Sequence, residues 1–139
     1  MRVRSFTERI IRGLQPKDYL GEILAIRHAV AEYCRYTNDP VSTEWVKDPE
    51  RIVEEIEATG KSIVDCDEEA CLIVTMCRQV GREAEFVTVG FGEPGHYSHV
   101  FARVKEPKSG YWIVCDPVAG TMEERMLGRV KTHQFWRID

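Results

Sequence analysis

The stretch GKSIVDCDEEACLIVTMCRQVG, residues 60–81, decides how the chain is read. Asp65, followed three residues later by Glu68 and then by an apolar run, is a capping-box pattern for the start of a helix. With Asp65 as N-cap, Cys66 becomes the first helical residue. Its thiol then lies among unpaired backbone N–H groups at the positive end of the helix dipole, a setting that favours an anion. Behind it, residues 70–76 (Ala, Cys, Leu, Ile, Val, Thr, Met) are apolar almost all round, as in a helix buried on most of its faces. Gly81 supplies the C-terminal stop. Cys66 is therefore a candidate nucleophile. The plainer reading makes Cys66 a core cysteine like its neighbours. Asp65, Asp67, Glu68 and Glu69 then serve only the helix dipole, and their charge opposes a thiolate.

Around this stretch the chain has 139 residues, enough for one domain with a proper core and no need of disulfide or metal staples. Charged residues make up 30% and hydrophobic ones 43%, ordinary values for a globular protein. The net charge of -4 leaves no basic face for nucleic acid. The four arginines of MRVRSFTERIIRG are too short a cluster to change that. There is no run of about 18 apolar residues and no apolar centre near the N-terminus, so neither a membrane span nor a signal peptide is expected. The expected compartment is the cytoplasm. Cys34, Cys66, Cys71, Cys77 and Cys115 form an odd set without CxxC spacing and read as reduced thiols, most of them packing residues.

Upstream, residues 1–15 read as a basic arm, extended or loosely attached, ahead of a single domain over 16–139. Pro16-Lys17-Asp18 begins a helix reaching about Tyr36, with Leu20, Ile23, Leu24, Ile26, Val30, Tyr33 and Cys34 at helical spacing. Thr37-Asn38-Asp39-Pro40 breaks it, and a loop carries Trp45. Asp48-Pro49 starts a second helix with the stripe Ile52, Val53, Ile56, ending at Gly60. Downstream the period changes. Residues 85–91, 99–104, 111–115 and 134–138 read as strands, and Thr121-Met122-Glu123-Glu124 caps a short helical turn. Helices first and an antiparallel sheet second make an α+β domain, with N-terminal helices and a buried central helix packed on the sheet.

The turn Glu106-Pro107-Lys108-Ser109-Gly110 joins two of these strands. In an antiparallel hairpin facing residues have a nearly constant number sum, here about 216, which brings His99 almost opposite Asp116. Such a pair lets the carboxylate fix the imidazole tautomer and stabilise its charged form. If the sheet packs so that His99 meets the mouth of the central helix, Cys66, His99 and Asp116 form a nucleophile, base and orienter.

DCDEEACLIVTMCRQVGREAEFV, then SHVFARV, then YWIVCDPV resemble the transglutaminase-like superfamily, within the papain-like cysteine-enzyme fold. The DCDE form, with Asp39-Pro40 and Thr43-Glu44-Trp45, is most similar to small phage- and prophage-encoded members. The resemblance covers residues 39–118. It implies a Cys66–His99–Asp116 triad working through a thioester acyl-enzyme. A peptide or protein amide is the expected substrate, and neither a cofactor nor a metal is expected. Arg82-Glu83-Ala84 departs from the isoleucine–proline pair that members commonly carry there. The family holds peptidases, amidases, transglutaminases and inactive relatives, so membership leaves the reaction open. Hydrolysis is preferred over amine transfer, since water alone completes it. The backbone N–H of Cys66 is one oxyanion donor, with Trp45 and Lys61 as candidates for a second and His96 as a rim residue facing substrate.

Two other classes compete. Asp65, Cys66, Asp67, His96 and His99 include zinc-ligand types, but adjacent residues at a helix start cannot all converge on one ion. A catalytically silent scaffold, for example a phage assembly module in a virion, would keep the fold without the chemistry. Taken singly, His99 reads as a hydrogen-bonded structural histidine and Asp116-Pro117 as a turn initiator.

Overall fold

A computed structural model describes residues 2–36, 47–90, 99–116 and 132–137. Four helices and six strands follow in the order α1 (Arg2–Ile11), α2 (Tyr19–Tyr33), β1 (Cys34–Tyr36), α3 (Pro49–Thr59), β2 (Ser62–Val64), α4 (Cys66–Gln79), β3 (Ala84–Gly90), β4 (His99–Lys105), β5 (Trp112–Cys115) and β6 (Thr132–Arg137). An antiparallel sheet has the strand order β5-β4-β3-β6, and β1 and β2 form a separate parallel pair. The α+β order expected from sequence is the one observed. Trp45, His96 and the turn at 121–124 lie outside the described residues.

α4 is the hub. Leu72, Ile73, Val74, Met76 and Cys77 are buried along it, packed with Ile23, Ile26 and Val30 of α2 and Ile52, Val53 and Ile56 of α3. Ala84, Ala102, Val104 and Cys115 close the core from the sheet side. A helix buried on so many sides needs apolar residues all round, which is why the run after Cys66 lacks the usual polar face.

Three expectations change in the structure. Residues 2–11, expected as a loose arm, form α1, with Val3, Phe6 and Thr7 buried. Its apolar residues pack beside α2 and α3, and Phe6 meets the Tyr33 ring edge-on, with centroids 5.8 Å apart. The arginines face the acids of α3: Arg2 and Arg9 both pair with Glu57, at 3.1 and 3.0 Å. Glu50 of α3 accepts the backbone N–H groups of Arg2 and Val3, at 3.0 and 3.3 Å, closing the N-terminus of α1. The charge cluster that looked like an arm is the outer face of a docked helix.

The second change concerns α2, expected to run from Pro16 to Tyr36. It starts at Tyr19, because the Asp18 carboxylate accepts the Gly21 N–H at 3.0 Å and acts as N-cap. Its last residues peel off as β1, where Cys34, Arg35 and Tyr36 pair in parallel with Ser62, Ile63 and Val64. The third is hairpin register. Cys115 lies opposite Ala102 and Val114 opposite Arg103. Continued one step, that register sets Asp116 opposite Phe101, so His99 and Asp116 are diagonal neighbours rather than facing ones. The turn is held by the Glu106 carboxylate, which accepts the N–H groups of Lys108 and Ser109 at 2.8 and 2.9 Å. Gly110 takes φ 78°, a backbone region that a side chain disfavours.

If α1 is core rather than arm, Phe6→Ala costs roughly 3 kcal/mol of unfolding free energy by removing a buried ring. Chemical denaturation measures this. A loosely attached segment would give under about 0.5 kcal/mol, as surface substitutions do.

Candidate active site

The site is assembled where the N-terminus of α4 meets the starts and ends of β4 and β5. Asp65, with extended backbone, accepts the Glu68 N–H at 2.9 Å, and Glu68 in return accepts the Asp65 N–H at 3.0 Å. The second Glu68 oxygen accepts the backbone N–H of Lys47 at 2.6 Å, so a buried carboxylate joins the helix start to the segment before α3. This reciprocal cap fixes the first turn and places Cys66 as the first helical residue, half-exposed, as the sequence indicates.

His99 is the first residue of β4 and Asp116 follows the last residue of β5. The His99 Nε2 and the Asp116 Oδ2 lie 2.7 Å apart, with the two side chains 10% and 3% exposed. This leaves Nδ1 as the ring nitrogen not engaged by Asp116, and the Cys66 side chain lies near enough to act on the imidazole. Burial acts strongly to lower the His99 pKa. The hydrogen bonds to Asp116 and Cys66, with the charges on both, outweigh it and push the value up to about 9. The three residues expected as a triad are thus brought together. Burial raises Cys71, pushes Cys34 up to about 12 and drives Cys77 well above its ordinary value.

Lys61 is not part of this assembly. It lies before β2, and its ammonium donates to the carbonyl of Glu32. Asp67 is exposed on the first turn, raised by its partial burial and by Asp65 and lowered by His99. Among the described residues no three His, Cys, Asp or Glu side chains converge as a metal cage.

Two residues at the site escaped the sequence reading. Tyr36, at the end of β1, pairs with Val64 just before the helix cap. Its phenol is held in the neutral form by burial and by Cys66, Glu69, Asp116 and Asp65. Glu69, one helical turn beyond Cys66, is 3% exposed and lines a narrow cleft together with Cys66, Cys115 and Asp116. Spacing of three from Cys66 was the available signal for Glu69, since such residues share a helix face. Nothing local marks Tyr36.

The family model of the transglutaminase-like superfamily matches residues 4–117, and the chain belongs to that superfamily. Among solved structures the chain is similar to a candidate cysteine protease from Cytophaga hutchinsonii, with a TM-score of 0.65 and 13% identity over 99% of this chain and 46% of that one. It is also similar to a candidate protease from Parabacteroides distasonis, with a TM-score of 0.62 and 13% identity over 84% of this chain and 23% of that one. The chain therefore spans less than half of the first structure and under a quarter of the second. No curated protein matches it. At this identity the likeness is one of fold, a papain-like arrangement of helices and antiparallel sheet.

His99 protonation is tied to folding. Its pKa is about 9 when folded against an ordinary 6.5, so the contribution to stability is complete below about pH 6.5 and lost as pH rises through about 9. Asp116→Asn removes the neighbour that raises the value and leaves burial to dominate. The His99 midpoint, read from its ring protons by NMR, should fall to 6.5 or below, and the stability loss over that pH window should flatten.

Proposed function

We propose that this chain is a thiol-dependent acyl-transfer enzyme that hydrolyses amide bonds of a peptide or protein through Cys66, His99 and Asp116. The observation that carries the reading is the buried 2.7 Å contact of His99 Nε2 with Asp116, which leaves the opposite ring nitrogen for a thiol at a helix start. A structural histidine satisfied by Asp116 would have no need of Cys66. Nor would a packing cysteine need a place at a helix start, where amides lack intrahelical partners.

In the proposed reaction, His99 accepts the Cys66 proton and the sulfur attacks the substrate carbonyl carbon. The resulting oxyanion is met by the backbone N–H of Cys66, which as the first helical amide has no intrahelical acceptor. The C–N bond breaks as His99 returns the proton to the leaving amine. A thioester on Cys66 remains. Water, deprotonated by His99, then attacks the thioester; the C–S bond breaks and Cys66 is released. Asp116 holds the imidazole in the tautomer that makes both transfers possible. Trp45 stays a candidate for the second oxyanion donor and His96 for the substrate rim, whereas Lys61 is committed to Glu32. Five free cysteines suit a reducing compartment such as the cytoplasm.

A panel of internally quenched peptides and aminoacyl amides, run beside incorporation of a fluorescent primary amine into a glutamine-rich protein, tests this. Hydrolysis is expected, reduced on the order of 10³-fold or more in Cys66→Ala and in His99→Ala, the scale of loss of a nucleophile or its base. Amine incorporation faster than hydrolysis would make the enzyme a transglutaminase. If neither occurs and iodoacetamide labels native Cys66 no faster than a free thiol, the silent-scaffold reading replaces the proposal.

A further inference from the structure

The mechanism leaves one buried ionisable group unused. Glu69 is 3% exposed, and among the described residues its Oε1 has no hydrogen-bond partner. It lines the cleft between α4 and the sheet together with Cys66, Val100, Phe101, Cys115 and Asp116, and that cleft has no room for a water molecule. Neither a described residue nor a water in that cleft therefore satisfies a charge on that oxygen. An ionised carboxylate without partners is costly in such a place, and the group takes up a proton instead.

We propose that Glu69 is a positioning residue that enters the reaction as a neutral carboxylic acid, so that Asp116 remains the one carboxylate acting on His99 from the cleft, and that its ionisation locks the proton on His99.

The charged and titratable groups around Glu69 come from every element packed there. Asp65 and Cys66 lie on its own helix, His99 on β4, Cys115 and Asp116 at the end of β5, and Cys34 and Tyr36 on β1. Burial first, then Asp116 and Asp65, push the Glu69 carboxyl up to about 8, against a lowering by His99. The coupling with His99 is reciprocal. If the imidazolium favours the Glu69 anion, the anion favours the imidazolium to the same extent. Below about pH 8 Glu69 is neutral, and His99 exchanges its proton under the influence of Asp116, Cys66 and the outer Asp67. Above it a second buried anion holds the imidazolium, and His99 no longer gives its proton up readily to the leaving amine. A neutral carboxyl thus leaves the proton free to move on, and an ionised one retains it.

The role also has a cost in stability. The folded Glu69 carboxyl sits near 8 against an ordinary 4.5, so folding becomes less favourable as pH rises from about 4.5 to about 8.

This inference rests on the proposed role of His99 as proton carrier, but its test needs no substrate. In the full chain, the His99 ring is titrated by NMR in wild type, Glu69→Gln and Glu69→Met. Both variants are expected to lower the His99 midpoint by about one unit, a tenfold loss of proton affinity. Both should also raise the melting temperature more at pH 8 than at pH 5. An unchanged His99 midpoint in whichever variant folds overturns the inference. If neither folds, Glu69 is a structural requirement and the inference also falls. A shifted midpoint in a protein that hydrolyses nothing would sink the proposed function and leave the coupling standing.

Discussion

The reciprocal cap of Asp65 and Glu68 is the constraint from which the rest of the molecule follows. It satisfies two backbone donors at the mouth of a helix whose sides are covered. Because the second oxygen of Glu68 also takes the Lys47 amide, the cap ties the helix start to the chain entering α3. The position of Cys66 along α4 is therefore decided by hydrogen bonds on both sides of it. Slippage by one residue would break both members of the box and turn Cys66 by about 100° around the helix axis.

Around that fixed point the protein concentrates carboxylates, and it satisfies each differently. Glu68 accepts backbone N–H groups, Asp116 meets the imidazole, and Asp67 stands exposed. Glu69 is buried, and its Oε1 has no partner among the described residues. In sequence, Asp67, Glu68 and Glu69 look like a simple complement to the helix dipole, yet the three end in three environments. Charge pattern in sequence therefore predicts little about protonation. Burial and the identity of the facing strand decide it.

What was legible in the sequence follows the same division between local and non-local causes. The caps at Asp48 and Asp65, the glycine after α3 and the alternating strands are written in residues within a few positions of each other, and they stand where the pattern put them. The His99–Asp116 pair was legible because one short turn connects the two strands, although the register came out diagonal. Cys34–Tyr36 could not be read as a strand, since what makes it one is pairing with β2 on the far side of α3. The same pairing delivers Tyr36 to the site. Residues 2–11 were misread for a related reason. Their arginines are conspicuous, whereas Val3 and Phe6 acquire meaning only once α3 supplies Glu50 and Glu57 and α2 supplies Tyr33.

The two kinds of constraint meet at His99. Packing demands that the end of β5 be buried against α4, and Asp116 goes in with it at 2% exposure. A carboxylate so placed needs a cation or donors, and the imidazole at the start of β4 is one side chain within reach. Once paired, the imidazole is held at the only edge of the cleft where a half-exposed thiol is present among the described residues. The arrangement that resolves the electrostatics of a buried strand end is thus the same one that sets an imidazole near the Cys66 thiol. Cys66 is half-exposed at the helix mouth, whereas Glu69 behind it is buried.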